Sequence, residues 1–404
     1  MATTVGVSDL TAFSTAEKVS PAPQQPKLIG HARRPEYMFV HTVRFWSMLA
    51  IVFMHGVYAV MEFGKLPTAV YALLIQGFKF GTIGFFLISG FLLGDRLPAS
   101  KPAAYLQRRA ARLVPAWIFW FVMQVAFIEL TRFAHHWVPA APRMHTLAVT
   151  ILNDAGWCFT GTALWFVPNF MVALTCVVLL RRWVNDLRLG AVLLAANLFY
   201  TVNVYTRWLP SKHSEAVFGF VFYLWLGAWC ALRKDKLERW AAALPSRLLI
   251  ACAVLAAAAA LLESRALFLH YSDDLMNTLR LGNQVYSVVV VIILLRFKRV
   301  TWPKFVNVGA HTYGIYLTHT MALSTISVLA VHVIFAKGQH LGPAVLVIMW
   351  MLLAPAAYLL ALLLTNLLGT PWPWVMGAAA PGQKSREAAV PIAPALGQSA
   401  PVTQ

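Results

Sequence analysis

The stretch RFWSMLAIVFMHG, residues 44–56, places a cation and a titratable ring in an otherwise apolar run. At 100° per residue, the eleven positions from Arg44 to His55 turn about 20° past three full turns. The two side chains therefore share one helix face, about 16 Å apart along the axis. Ionisable groups inside a bilayer usually face a polar cavity. The stretch predicts a membrane helix with one functional face.

The rest of the chain has a membrane composition. Its 404 residues are 59% hydrophobic and 12% charged, with a mean hydropathy of +0.66. Soluble domains average about 25% charged residues, so this sequence predicts an all-α polytopic membrane protein with about ten transmembrane helices. The predicted spans are 44–62, 70–94, 113–130, 163–180, 190–205, 215–232, 248–264, 281–296, 306–331 and 343–366.

The net charge of +18 is distributed unevenly over the connections between these spans. One alternating set, which includes both termini, has 24 Lys and Arg residues, and the opposite set has eight. The positive-inside rule then predicts that both termini are cytoplasmic. The basic excess is a topology signal, and we expect a lipid bilayer and no nucleic acid as a partner.

Three segments follow from composition. Residues 1–40 are polar and are predicted to be a disordered cytoplasmic arm. Residues 41–370 are predicted to form the transmembrane domain, and residues 371–404 a cytoplasmic tail, disordered after Met376. The four cysteines form no CxxC pair and are expected to be packing residues.

Two histidines are predicted at the middle of membrane spans. His55 and His319 lie at similar depth, so His319 could approach His55. A neutral imidazole accepts a proton near pH 7, which makes His55 the candidate general base. Arg44, at the cytoplasmic mouth, completes the predicted catalytic set. A structural histidine and a snorkelling arginine anchor remain alternative interpretations.

Other polar groups predict ligand contacts. RRAARLVP, 108–115, brings three guanidiniums together at the cytoplasmic side, where Arg108, Arg109 and Arg112 could bind phosphates bidentately or act only as topology signals. The predicted substrate-binding residues are Glu62, Lys79, Trp165 and Tyr316. Asp273 and Asp274, in an outer connection, could bind sugar hydroxyls, but solvated loop charges are the favoured interpretation. The HHW sequence at 135–137 lacks zinc-site spacing, so no metal is expected.

Six segments in order resemble the acyltransferase-3 family of bacterial membrane proteins, which O-acylate cell-surface carbohydrates. They are R-x10-H from Arg44 to His55, FF-x-x-SGF at 85–91, RR-x-x-R-x-x-P at 108–115, LWFVP at 164–168, FYLWLG at 222–227, and G-x-x-(T/S)YGIYL-x-H at 309–319. The order and spacing cover about residues 40–366.

The resemblance implies transfer of an acyl group, usually acetyl, from cytoplasmic acetyl-CoA to a carbohydrate hydroxyl, in the bacterial inner membrane. Arg44 and His55 would then be essential, and Arg108, Arg109 and Arg112 would bind the donor phosphates. Some relatives have an appended extracytoplasmic esterase-like domain, and this chain is expected to act without one or with a separate extracytoplasmic transferase or polysaccharide-assembly protein.

Two other classes stay open from the residues alone. A transporter or flippase for a polysaccharide precursor would also need intramembrane His, Lys and Glu side chains. Such folds often have broken helices in repeated halves, and no internal symmetry is apparent in this sequence. A non-catalytic membrane scaffold would leave the pairing of Arg44 with His55 unexplained.

Overall fold

A computed structural model describes residues 38–94, 97, 101–134, 144–270, 274–297, 302–333 and 341–378. Every regular element among these residues is helical, which confirms the all-α prediction. The α-helices are α1 Met38–Val60, α2 Thr68–Phe78, α3 Gly81–Gly94, α4 Pro102–Ala134, α5 Met144–Gly161, α6 Phe166–Leu179, α7 Leu187–Thr206, α8 Val221–Ala231, α9 Lys234–Ala243, α10 Ser246–Leu269, α11 Leu281–Arg296, α12 Val308–Val333 and α13 Pro343–Gly369.

Six segments are long and apolar enough to cross a membrane alone. They are Met38–Phe63, Thr68–Gly94, Pro102–Arg132, Leu187–Thr206, Ser246–Leu269 and Pro343–Gly369. The pair Leu147–Gly161 and Ala163–Leu179, bent by 68°, would make a seventh span, and α8 and α11 are shorter apolar helices. The protein is therefore a multi-pass membrane protein, whereas the count of ten spans and the cytoplasmic termini stay predictions.

The helices break at two places. The predicted span 70–94 corresponds to the apolar segment Thr68–Gly94, within which the turn at Lys79 and Phe80 separates α2 from α3. The chain also bends between α5 and α6, where residues 163–165 form a 3₁₀ turn. Non-helical backbone at membrane depth is tolerated only where protein or a polar cavity satisfies it. Both interruptions therefore point to the same kind of interior site.

Helix α1 lies at the centre of the bundle. It packs against α3, α12 and α13, and most of its residues are buried. Its uninterrupted run from Met38 to Val60 places Arg44 and His55 on one helix, as the opening stretch predicts. His55 lies nearer the end of α1 that is followed by Glu62 than the end that begins at Met38.

Helices α3 and α8 make the closest backbone contact in this interior. A β-carbon on Gly90 would overlap the carbonyl oxygen of Leu224, and one on Gly227 would overlap the carbonyl oxygen of Leu87. The glycines of FFLISGF and FYLWLG thus face each other across one interface. Small residues at an interface allow two helices to approach this closely.

The chain ends are only partly described. Residues 1–37 and 379–404 lie outside the described residues, so the predicted disorder of arm and tail stays a prediction. Pro373–Met376 forms a 3₁₀ turn, and Trp120 of α4 donates a hydrogen bond to the Val375 carbonyl at 2.9 Å. The first residues of the predicted tail therefore pack on the membrane domain.

Candidate active site

A small cavity of about 30 Å³ lies between α1, the Lys79 turn and the 3₁₀ turn that precedes α6. That volume is enough for about one or two water molecules. Its lining includes the predicted site residues His55, Lys79, Trp165 and Tyr316. Residues far apart in sequence thus meet at one point, and the wall also includes His213, which sequence reasoning missed.

His55 and His319 are in contact, as their predicted depths suggested. Their rings lie 5.1 Å apart between centroids, and His319 Nε2 is 3.3 Å from His55 Nδ1. His319 Nδ1 lies 2.7 Å from the Tyr316 carbonyl oxygen. A carbonyl only accepts, so His319 Nδ1 holds the proton, and a neutral His319 accepts at Nε2 from His55 Nδ1–H. His55 Nε2 is therefore left with a free lone pair.

Tyr316 and Trp165 close one wall of the cavity. The Tyr316 hydroxyl donates to the carbonyl of Ala163, in the 3₁₀ turn between α5 and α6. Trp117 of α4 donates to the Leu164 carbonyl of the same turn at 2.9 Å. The Ala163 carbonyl also accepts from the Phe166 backbone N–H, so the bonds from Tyr316 and Trp117 tie α12 and α4 to the turn that contains Trp165.

Lys79 lies at the break between α2 and α3 with a side chain that is 3% exposed. Among the described residues, no carboxylate is within ion-pair distance of its ammonium group. A buried, unpaired cation is costly unless it meets a negative charge. The position of Lys79 in the cavity wall therefore suits a charge that arises there during a reaction.

His213 reaches the cavity from the connection between α7 and α8. Its Nδ1 lies 2.7 Å from Asp274 Oδ2, and its backbone N–H donates to the same oxygen at 3.3 Å. The His213 ring packs edge-to-face on Trp165, with centroids 5.0 Å apart. The interpretation of Asp274 as a solvated loop charge is therefore wrong, because its carboxylate is 16% exposed and paired with this histidine.

The environment of Asp274 keeps its carboxylate charged. Burial raises the pKa of Asp274, but the charge and hydrogen bonds of His213 and the charge of Lys79 outweigh burial and hold that pKa below its ordinary range. Asn277 Nδ2 also donates to Asp274 Oδ2 at 3.0 Å. With Asp274 as acceptor, His213 Nδ1 holds the proton, and Nε2 is the ring nitrogen left for the cavity.

A buried polar network supports this connection from behind. Arg280, fully buried, donates to the carbonyls of Asn277 at 3.1 Å and Ala260 at 2.6 Å and to the side chain of Gln76 at 2.8 Å. Asn277 Nδ2 also donates to the Ser211 carbonyl at 2.7 Å. A satisfied network of this kind fixes the backbone on both sides of the His213–Asp274 pair.

The predicted donor-side arginines lie on α4, away from the cavity wall. Arg108 is exposed, whereas Arg109 and Arg112 are half-buried. Arg109 Nε donates to the Tyr105 hydroxyl at 3.2 Å, and its guanidinium lies 5.5 Å from the centre of that ring. Arg44 is half-buried on α1. None of these four arginines lines the cavity.

Two further sequence predictions concern Glu62 and metal binding. Glu62 is exposed on the 3₁₀ turn after α1 and does not line the cavity, so the structure does not bring it to the other substrate-binding candidates. Among the described residues no cluster of three His, Cys, Asp or Glu side chains could bind a metal ion. The side chains of His135, His136 and His145 lie outside the described part of the chain.

His213 was missed because its segment, SKHSE at 211–215, reads as an ordinary short polar loop. The available signal is indirect, because buried asparagines on α6 and α7 hold this loop inward. Asn203 accepts from the Leu209 backbone N–H at 2.8 Å, and Asn169 donates to the Ser214 carbonyl at 2.9 Å. Asparagines in apolar helices need partners, which could have pointed to this loop.

The sequence model of the acyltransferase-3 family, described as an acyltransferase domain, matches residues 39–369. The matched range spans helices α1 to α13 and includes every residue of the cavity wall. No curated protein and no solved structure matches the chain.

Proposed function

The chain belongs to the acyltransferase-3 family, and we propose that it moves an acyl group from cytoplasmic acyl-CoA to a hydroxyl of an extracytoplasmic or lipid-linked carbohydrate. Membership of the family makes it a membrane acyltransferase. Acetyl-CoA as the donor, a carbohydrate as the acceptor and the bacterial inner membrane as the location belong to the proposal. The contact between His55 and His319 at the cavity is the observation that supports it best.

The hydrogen bonds around His55 leave one nitrogen of its imidazole ring available to react. The Tyr316 carbonyl fixes His319, and His319 fixes the tautomer of His55, so the lone pair of His55 Nε2 is available. That nitrogen can accept the proton of the acceptor hydroxyl or take the acyl group transiently. In both cases the carbon–sulfur bond of the thioester breaks, the hydroxyl oxygen forms the new ester bond, and the hydroxyl proton ends on the released thiol.

Lys79 supplies the positive charge that this chemistry needs. Attack on a thioester carbonyl places negative charge on its oxygen, and a fixed cation in a water-poor site stabilises that charge strongly. The ammonium of Lys79 lies in the same wall as His55 and Tyr316. We assign Lys79 to this oxygen, which makes its predicted substrate contact more specific.

The arginine run connects to the cavity through α12. The Tyr313 hydroxyl donates to the Leu113 carbonyl at 2.7 Å, directly after Arg112, and the Tyr313 and Tyr316 rings stack 6.2 Å apart. One helical turn of α12 therefore separates the level of Arg112 from the cavity wall. A donor whose phosphates bind Arg109 and Arg112 could extend its thioester along these tyrosines towards His55.

Purified full-length protein in nanodiscs tests the proposal with radiolabelled acetyl-CoA as donor and glycolipids extracted from the same bacterium as acceptor. We expect saturable acetyl-CoA binding and label transfer in the wild type. His55→Ala should lower the rate of label transfer by about 10²–10⁴-fold, which is the usual contribution of a general base, or by more than that. His270→Gln, which changes an exposed histidine outside the cavity, is the matched control and should match the wild type.

Two outcomes would contradict the proposal. Undiminished transfer in a correctly inserted His55→Ala protein would remove His55 from the chemistry. Absence of acetyl-CoA binding, combined with protein-dependent movement of a lipid-linked sugar across the vesicle membrane, would favour the flippase, for which the two helix interruptions could serve as moving joints.

A further inference from the structure

The cavity has two histidines with matching geometry and opposite electrostatic surroundings. In each of them Nδ1–H is bound by a partner, and Nε2 is left over. The partner of His55 is the neutral ring of His319, whereas the partner of His213 is the carboxylate of Asp274. Enzymes with two titratable groups in unlike surroundings commonly divide acid–base roles between them.

The difference decides which ring is the better proton acceptor. A proton taken by His213 makes an imidazolium 2.7 Å from the Asp274 carboxylate, an arrangement that stabilises the charge. A proton taken by His55 makes an imidazolium whose Nδ1 partner is another, neutral imidazole. The Nδ1 partners therefore favour His213 over His55 as the ring that takes the proton of the acceptor hydroxyl during transfer.

The position of the pair also matches the side from which the acceptor comes. His213 lies between α7 and α8, and Asp274 lies between α10 and α11. In the proposed topology both connections face outward. His213 is therefore the imidazole that an extracytoplasmic hydroxyl meets, whereas the arginine run lies at the other end of the proposed donor path.

We propose that His213 is the catalytic base for the acceptor hydroxyl and that Asp274 is its positioning residue; this inference rests on the proposed acyl transfer. The acceptor oxygen bonds to the acyl carbon while its proton moves to His213 Nε2. The bond from the acyl carbon to its carrier, the thioester sulfur or His55 Nε2, breaks with its electron pair. Whichever carrier released the acyl group, the proton on His213 ends on the thiolate of coenzyme A, so that His213 and His55 both begin the next cycle neutral.

A hydroxyl is a weak nucleophile unless a base takes its proton, whereas hydroxylamine attacks an acyl group at neutral pH without that help. Full-length protein in nanodiscs is therefore assayed with acetyl-CoA and two acceptors, extracted glycolipid and hydroxylamine. We expect His213→Gln to lower glycolipid acetylation by about 10²–10⁴-fold and to leave acetohydroxamate formation within a few-fold of the wild type. His55→Ala should lower both reactions.

Asp274 variants test the positioning role. Asp274→Asn should lose part of the glycolipid reaction only, since an amide does not stabilise the imidazolium, and Asp274→Glu should recover some of it through its carboxylate. The exposed His270→Gln variant is again the matched control. Elution profile and thermal unfolding are measured for each protein, so that loss of fold is separated from loss of a base.

The results separate the two proposals. A wild-type protein that releases no coenzyme A with either acceptor refutes acyl transfer and, with it, the assignment of His213. If the wild type is active but a folded His213→Gln protein loses both reactions equally, or neither, then His213 does not act as the base for the acceptor. Equal activity of the Asn and Glu variants of Asp274 would refute the positioning role.

Discussion

The cavity and the arginine run of α4 are built in opposite ways. At the cavity, Lys79 is 3% exposed, and His319, which contacts the lining residue His55, is 0% exposed and hydrogen-bonds the Tyr316 carbonyl at 2.7 Å. On α4, Arg108 is exposed, and Arg109 and Arg112 are half-buried. The cavity therefore holds its charges and lone pairs in place before a ligand arrives, whereas the arginines keep long side chains next to solvent.

This difference predicts different kinetic roles. Groups preorganised away from water act mainly on the transition state, so their removal lowers kcat. Charges next to water act mainly on binding, are screened by salt and contribute less each, so their removal raises KM. The following variants test whether the cavity residues act mainly on kcat and the α4 arginines mainly on KM.

Lys79 should give the largest effect. Lys79→Met should lower kcat by about 10²–10³-fold with little change in KM for acetyl-CoA, because it removes the cation that meets the developing oxyanion. Lys79→Arg keeps the charge and should retain more activity than the methionine variant. Steady-state kinetics in nanodiscs gives both constants. A rise in KM with unchanged kcat would instead place Lys79 with the donor-binding groups.

His319 should give an intermediate effect. His319→Leu removes the acceptor of the His55 Nδ1 proton and should lower kcat by about tenfold to a hundredfold, since the partner sets the tautomer of the reacting imidazole. His319→Gln keeps a carbonyl acceptor and should be less damaged. Nitrogen-15 chemical shifts of His55 report its tautomer directly. Unchanged shifts in the leucine variant would show that His319 does not set it.

The arginine run should give the smallest effect. Arg109→Ala and Arg112→Ala should each raise KM for acetyl-CoA by about tenfold at low salt, the scale of one charge-assisted hydrogen bond, with kcat nearly unchanged. The increase should shrink as ionic strength rises. The matched control is Arg182→Ala, an exposed arginine of another connection on the same proposed side. If Arg182→Ala raised the KM for acetyl-CoA as much as Arg109→Ala and Arg112→Ala do, the increase would come from general surface charge.

Much of this arrangement could be predicted from sequence, because helix periodicity is local. Eleven residues at a fixed rotation per residue predict that Arg44 and His55 share one face of a single helix. The depths of His55 and His319 in their spans predicted their contact. Each of these inferences needs only one helix or a shared depth in the bilayer.

The remaining features depend on contacts that no local pattern encodes. Hydropathy averages over many residues, so one lysine in an apolar run did not reveal the turn at Lys79. The pairing of His213 with Asp274 joins two connections that lie 61 positions apart in sequence. Their polar side chains look solvated in isolation, and only the inward fold of both connections pairs them and places His213 in the cavity wall.

The contact between Gly90 and Gly227 limits how the cavity can admit its substrates. The cavity of about 30 Å³ has room for one or two water molecules, so we expect it to widen when a sugar hydroxyl and a thioester bind together. Helices α3 and α8 touch backbone to backbone and cannot slide past each other without steric overlap. We therefore expect the Lys79 turn before α3 and the connection before α8 to stay together. The widening is then expected to come from α1, α12 or the α5–α6 bend.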